Sequence, residues 1–169
     1  MLNNLQIDLE QLPKLENLSL KKIERSYIYI LFFNISIGFI MPLIALIVSG
    51  ILSNFEGWWS YFIMIVTAII VVYALTLFYT FLSFPKRQYA IRENDMVYSE
   101  GLLFNKITTV PLVRIQHTEI SRSFLERKLN LSTLKIYTAG ATGSDLKIGG
   151  LTKDEAEKIN SFLTAQINE

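Results

Sequence analysis

The sequence predicts an α+β membrane protein: an N-terminal two-helix transmembrane hairpin followed by an antiparallel β-sheet or barrel domain capped by a C-terminal α-helix. Three observations predict it. Two long stretches, between Arg25 and Glu56 and between Glu56 and Lys86, contain no Lys, Arg, Asp, Glu or His. Beyond Pro85 charges return every few positions, among short β-branched and aromatic runs broken by turn residues. From Thr152 the chain opens on a helix start signal and continues with helical spacing.

The hairpin comes first. Of 169 residues 51% are hydrophobic, and the mean hydropathy is +0.34, which is apolar for a soluble domain of this size. Residues 26–55 and 57–85 both exceed the roughly 20 apolar residues that cross a bilayer core. The second is apolar on every helical face, as a helix surrounded by lipid must be. Buried helices of a soluble protein are the alternative, but the remaining polar chain is too short to wrap two such helices. Only Ser53-Asn54-Phe55-Glu56-Gly57 separates the stretches, so the spans, expected at about 27–52 and 58–84, run antiparallel. Lys14, Lys21, Lys22 and Arg25 precede them, Lys86, Arg87 and Arg92 follow, and the turn holds one acid and no base. That asymmetry predicts a multi-pass plasma-membrane protein with both termini cytoplasmic. Trp58, Trp59 and Tyr61 then mark the outer interface and Tyr27, Tyr29, Tyr79 and Phe84 the inner one. Pro42 is expected to kink the first span.

The expected organisation is a cytoplasmic N-terminal segment over 1–25, the hairpin over 26–85 and a cytoplasmic domain over 86–169. With Asp8 and Glu10 at its start, the chain does not resemble a removable signal peptide, so the first span serves as an anchor. Residues 15–29 read as a short interfacial helix or as a plain polar tail.

In the domain, Gln88–Arg92, Met96–Tyr98 and Leu134–Thr138 read as strands. Turn signals fall at 93–95, Gly101, 104–106, 139–145 and Gly149-Gly150. Residues 123–130 prefer a helical turn. Thr152 and Glu155 form a capping box, after which Ala156, Ile159, Phe162, Leu163 and Ile167 share one stripe that can cover a sheet. Several short antiparallel strands closed by one C-terminal helix make the pleckstrin-homology (PH) architecture.

The inventory excludes most chemistry. Without cysteine there is no disulfide, thiolate metal site or Cys nucleophile. His117 is the only histidine and has no second imidazole for a zinc site and no Gly-x-Ser-x-Gly elbow; it reads as a surface or strand-end side chain. The stretch Gly140-Ala141-Thr142-Gly143 lacks the Lys of a phosphate loop and reads as a hairpin turn. The spans hold no charged residue for a proton relay. A net charge of +1 makes no case for nucleic acid. The sequence therefore assigns no catalytic residue, metal, cofactor or small-molecule substrate.

What remains is a basic region. Between residues 104 and 135 lie Lys106, Arg114, Arg122, Arg127, Lys128 and Lys135 against Glu119 and Glu126. Lys106, Arg114, Gln116, Arg122, Arg127 and Lys128 are the candidate contacts for lipid or a protein partner. Arg114 and Arg127 are expected to pair with Glu119, Glu126 or backbone carbonyls, Arg114 above all, which leaves Lys106, Arg122 and Lys128 as the surface candidates. Strand alternation would put Arg114, Gln116 and Thr118 on one face and Ile115 and His117 on the other.

Four pieces follow one another in order: Asp95-Met-Val-Tyr-Ser-Glu-Gly-Leu-Leu103, Val110-Pro-Leu-Val-Arg-Ile-Gln-His117, Leu125-Glu-Arg-Lys-Leu-Asn-Leu131 and Tyr137-Thr-Ala-Gly140. As a set they resemble the YdbS-like bacterial PH-domain membrane proteins. The resemblance implies two transmembrane helices before a bacterial PH-like domain, and no activity. Because such proteins are often encoded beside a longer relative with several such modules, it also implies a complex with another membrane protein in the bacterial envelope. Two functions are then expected. The favoured one is a noncatalytic membrane-anchored scaffold that binds a partner through a polar strand face or sheet edge. The other is a module that binds or senses anionic lipid of the inner leaflet.

Overall fold

The computed structural model describes residues 19–52, 57–139 and 145–167. Its first element is a strand, β1 (Lys21–Lys22), where an interfacial helix was one of the two expectations; residues 15–18 lie outside the described part. The strand forms because Ile23 is buried in the core and the adjoining backbone has partners: Glu24 N–H donates to the Gly150 carbonyl at 2.9 Å and Ile23 N–H to that of Arg87 at 3.4 Å. The Lys21 ammonium pairs with the Glu155 carboxylate.

Helices α1 (Tyr27–Leu52) and α2 (Trp58–Ser83) follow, 26 residues each. At 1.5 Å per residue each is about 39 Å long, more than the roughly 30 Å of a bilayer's hydrocarbon core. Neither apolar stretch is buried within the protein. Beyond the first turns of α1, where Ile28, Ile30 and Leu31 meet the domain, most of their Ile, Leu, Val, Met and Phe side chains point outward, which removes the soluble-core alternative, since a core helix is covered by its own protein. The helix α1 runs through Pro42 without interruption. The two pack through a 2.9 Å hydrogen bond between the Ser36 and Tyr73 hydroxyls and an edge-on contact of the Phe39 and Tyr73 rings at 5.2 Å. Thr67, Thr76 and Thr80 donate to carbonyls four residues back, so their hydroxyls need no water.

A short 3-10 turn over Phe84–Lys86 leads into the domain. Strands β2 (Gln88–Ile91), β3 (Asp95–Glu100) and β4 (Lys106–Pro111) extend β1 into a four-stranded antiparallel sheet in the order β1-β2-β3-β4. A 3-10 turn over Leu112–Arg114 turns the chain into a second, three-stranded sheet of β5 (Ile115–Ser121), β6 (Leu131–Thr138) and β7 (Leu146–Thr152). The short helix α3 (Phe124–Lys128) joins β5 to β6, and α4 (Lys153–Ile167) closes the domain. Met96, Leu134, Ile136, Ile148, Leu151, Ala156 and Leu163 form the fully buried centre between the sheets and α4. The hairpin is thus an insertion between the first and second strands of one sheet.

The capping box closes as expected: Glu155 N–H donates to Thr152 Oγ1 at 3.2 Å and Thr152 N–H to the Glu155 carboxylate at 3.3 Å. On α4, Ala156, Ile159 and Leu163 are buried, whereas Phe162 is exposed; it sits about 60° round the helix from Ile159, at the edge of the stripe. The Ile167 side chain is outside the described part.

Gly149 and Gly150 lie within β7 and do not make the turn their type signals. Their lack of side chains admits the ring of Tyr27 from α1: a Cβ on Gly150 would stand 2.7 Å from Tyr27 Cγ, and Gly150 has φ +78, a conformation glycine adopts without strain. The first residue of α1 is therefore keyed onto the second sheet.

Candidate membrane-facing site

Register fixes which end of the domain meets the hairpin. Gln88, at the start of β2, pairs with both Lys22 and Ser99. The far end of β3, and the loop that follows it, therefore lie beside the bases of α1 and α2. That loop turns at Gly101, φ +102, where a Cβ would collide with the Phe104 carbonyl. It projects Leu103 and Phe104 outward, 74% and 87% exposed, with Lys106 beside them.

The second sheet makes an equivalent rim. Ser121, Arg122, Ser123 and Glu126 line a cavity of about 400 Å³ with Tyr27, Ile30 and Asn34 of α1, so α3 lies against the first turns of the membrane helix. Ser123 caps α3: its Oγ accepts from Glu126 N–H at 3.3 Å, while the Glu126 carboxylate accepts from Ser123 N–H at 2.7 Å and from the Thr133 hydroxyl. This buried carboxylate is committed to structure. Outside it, Phe124 is 65% exposed, and the Lys128 ammonium stands 5.7 Å from its ring centre.

The sequence-derived candidates divide between the two ends of the domain. Lys106, Arg122, Arg127 and Lys128 lie at the hairpin end, in or beside the 101–105 loop and α3. Arg114 and Gln116 lie at the far end, where β5 begins. The three arginines depart from their expected pairings. Arg114 and Arg127 are exposed, and neither takes part in an ion pair among the described residues. Arg122, expected free, donates from Nε to the Leu131 carbonyl at 2.9 Å and from Nη2 to Asn130 at 3.4 Å. Glu119 instead accepts from Lys135 at 2.8 Å and from the Tyr137 hydroxyl at 3.0 Å; these two hydrogen bonds hold its carboxyl below the usual carboxylate range.

The expected alternation also fails. Arg114 belongs to the 3-10 turn and a bulge falls between Ile115 and His117, so Thr118 faces α4 and donates to Asn160 at 2.6 Å. His117 and Glu119 share the opposite face, where the imidazole stacks on Tyr137 at 4.2 Å. Two features had little signal in the sequence: the exposed Leu103-Phe104 tip, which looks like ordinary strand content, and the Tyr27 seat on the glycine pair. An apolar pair beside Gly101 and a glycine pair inside a strand pattern were the available clues.

Comparison with known proteins agrees with this architecture. The profile of the bacterial PH domain family matches residues 26–167. A curated relative, the UPF0699 transmembrane protein YdbS of Bacillus subtilis (strain 168), is 31% identical over 77 residues, 46% of this chain and 46% of the relative. The chain thus spans less than half the length of that relative in the match. No solved structure matches. With a profile match across both apolar helices and every strand but β1, the chain belongs to the bacterial PH domain family, as a YdbS-like PH-domain membrane protein.

Proposed function

We propose that this chain is a noncatalytic, multi-pass inner-membrane protein, both termini cytoplasmic, whose PH-like domain rests on the anionic inner leaflet beside its own anchor. The observation that carries it is the membrane-end rim. The most exposed apolar residues there, Leu103 and Phe104 in the loop between β3 and β4 and Phe124 in α3 between β5 and β6, project at the same end of the domain, with Lys106 two residues after Phe104 and Lys128 over the Phe124 ring. Burying one such side chain is worth about 1.5–3 kcal/mol, and each base that reaches an anionic surface adds about 1 kcal/mol. Because the hairpin already tethers the domain, these gains are not spent on bringing protein and membrane together. The noncatalytic reading is supported by the commitments of the two obvious acid–base candidates, Glu126 in the α3 cap and His117 against Tyr137.

A second reading is favoured by β4, an edge strand of six residues with exposed Lys106, Ile107 and Thr109. Its open edge suits strand addition by a protein partner, such as a longer relative with several PH-like modules, which would make the chain a scaffold in an envelope complex.

The absence of native cysteine allows a clean test. Single cysteines at positions 104, 124 and 113 carry an environment-sensitive dye in the full-length protein, in nanodiscs containing phosphatidylglycerol and headgroup nitroxide lipids. Quenching at 104 and 124 but not at 113, beside the far-end turn, is the expected result. Positions 104 and 124 as unquenched as 113 would remove the leaflet-resting reading.

A further inference from the structure

We propose that a second cavity, of about 930 Å³ at the base of the hairpin, is a binding site for one anionic phospholipid of the inner leaflet. This rests on the reading that the domain lies against that leaflet, but uses other residues. Its lining combines Lys22 from β1, Arg25 from the following turn and Arg87, between the 3-10 turn and β2, with Ile28, Phe81 and Leu82 from the first turn of α1 and the last turn of α2. The bases belong to the chain just outside the two apolar helices and the apolar residues to the helix ends. A phosphodiester and the first carbons of its acyl chains have this polarity profile at this depth.

Charge decides the occupant. Lys21, next to Lys22 in β1, is already paired with Glu155. The side chains of Lys22, Arg25 and Arg87 have no ion pair or hydrogen bond among the described residues, and the cavity's single acid, Glu24, leaves two positive charges in excess. Three like charges beside an apolar wall repel one another at reduced dielectric, and a bound phosphate relieves that repulsion. Their backbones are fixed in advance: Lys22 pairs with Gln88, the Arg87 carbonyl accepts from Ile23 N–H, and Arg87 N–H donates to the Phe84 carbonyl at 3.1 Å. The smaller cavity under α3 has Lys147 as its one base outside an ion pair or side-chain hydrogen bond among the described residues, since Arg122 and Lys135 are engaged with protein groups, and Glu126 lines it as well.

The test uses the full-length protein in nanodiscs of equal phosphatidylglycerol and phosphatidylcholine, with lipids retained after gentle extraction counted by native mass spectrometry. Wild type is expected to retain phosphatidylglycerol selectively. Arg25→Gln with Arg87→Gln lowers that retention about tenfold or more, while Arg25→Lys with Arg87→Lys keeps part of it. Phe104→Ser with Lys106→Gln, which strips the rim, leaves it unchanged. Equal retention in wild type and the double Gln variant overturns the site, as does equal loss in the rim variant. Retained lipid together with an unquenched label at position 104 overturns the rim reading alone. Since Arg25 and Arg87 also help orient the hairpin, an arm without mutation accompanies these. In wild type, phosphatidylglycerol should protect Arg25 and Arg87, but not the far-end Arg114, from phenylglyoxal relative to phosphatidylcholine alone. No difference in protection overturns the proposal independently of folding.

Discussion

Leu75 in the hairpin and Leu163 in the domain are the same residue in helices of one chain, yet the first is 62% exposed and the second fully buried. The difference teaches that the two regions are built against different solvents. The hairpin turns its apolar side chains outward because lipid replaces the missing protein cover, so its helices need only pair with each other and satisfy their own hydroxyls. The domain is built against water and packs its apolar residues between two sheets and a helix. Leu103, Phe104 and Phe124 break the domain's rule at the hairpin end, as Val113 does at the far end.

The largest effect expected is at the core. Leu163→Ala should destabilise the domain by about 2–5 kcal/mol, whereas Leu75→Ala, exchanging one lipid-facing apolar group for a smaller one, should stay within about 0.5 kcal/mol. Thermal melting of the full-length protein in detergent compares them, and equal losses would dissolve the contrast. Next comes the junction. Gly150→Val meets Tyr27 and demands a left-handed β-branched residue, at a cost of about 3 kcal/mol, and should open the seam between α1 and β7 to limited proteolysis. Smaller is the α3 cap: Ser123→Ala should cost about 1 kcal/mol and loosen Phe124, read as weaker quenching at that position.

The smallest effect concerns Lys21 and Glu155, which tie β1 to α4. Burial works to raise the Glu155 carboxyl, but hydrogen bonds from Lys21 and the Thr152 backbone outweigh it and hold the group below its ordinary 4.5. A depressed carboxyl contributes stability above its ordinary value and loses it as pH falls through the folded value. Stability should therefore drop below about pH 4.5, and Lys21→Gln should reduce that acid loss. The pair is partly exposed, so its share stays under about 1 kcal/mol.

Much of this was legible in the sequence because it depended on local pattern. Uncharged length marked both spans, β-branched and aromatic runs marked β2, β3 and β6, and Thr152 with Glu155 marked the start of α4. Features decided by long-range contact were not. Lys21-Lys22 is too short to signal a strand and becomes one only because β2, arriving from across the hairpin, offers it a partner. Gly149-Gly150 carries a turn signal that Tyr27 overrides. A single bulge near Gln116 changed which residues share a face of β5, because strand alternation has no tolerance for one extra residue. The candidate bases were visible as residue types, but their split between the two ends of the domain follows from topology.

The most direct test of the central claim is cysteine accessibility in intact cells, with single cysteines at Glu56, in the turn between the spans, and at Val113, at the far end of the domain. A membrane-impermeant maleimide should label position 56 without permeabilisation and position 113 only after it. Labelling of position 113 from outside, or of both positions only after permeabilisation, would contradict a hairpin that crosses the membrane and returns the domain to the cytoplasmic face.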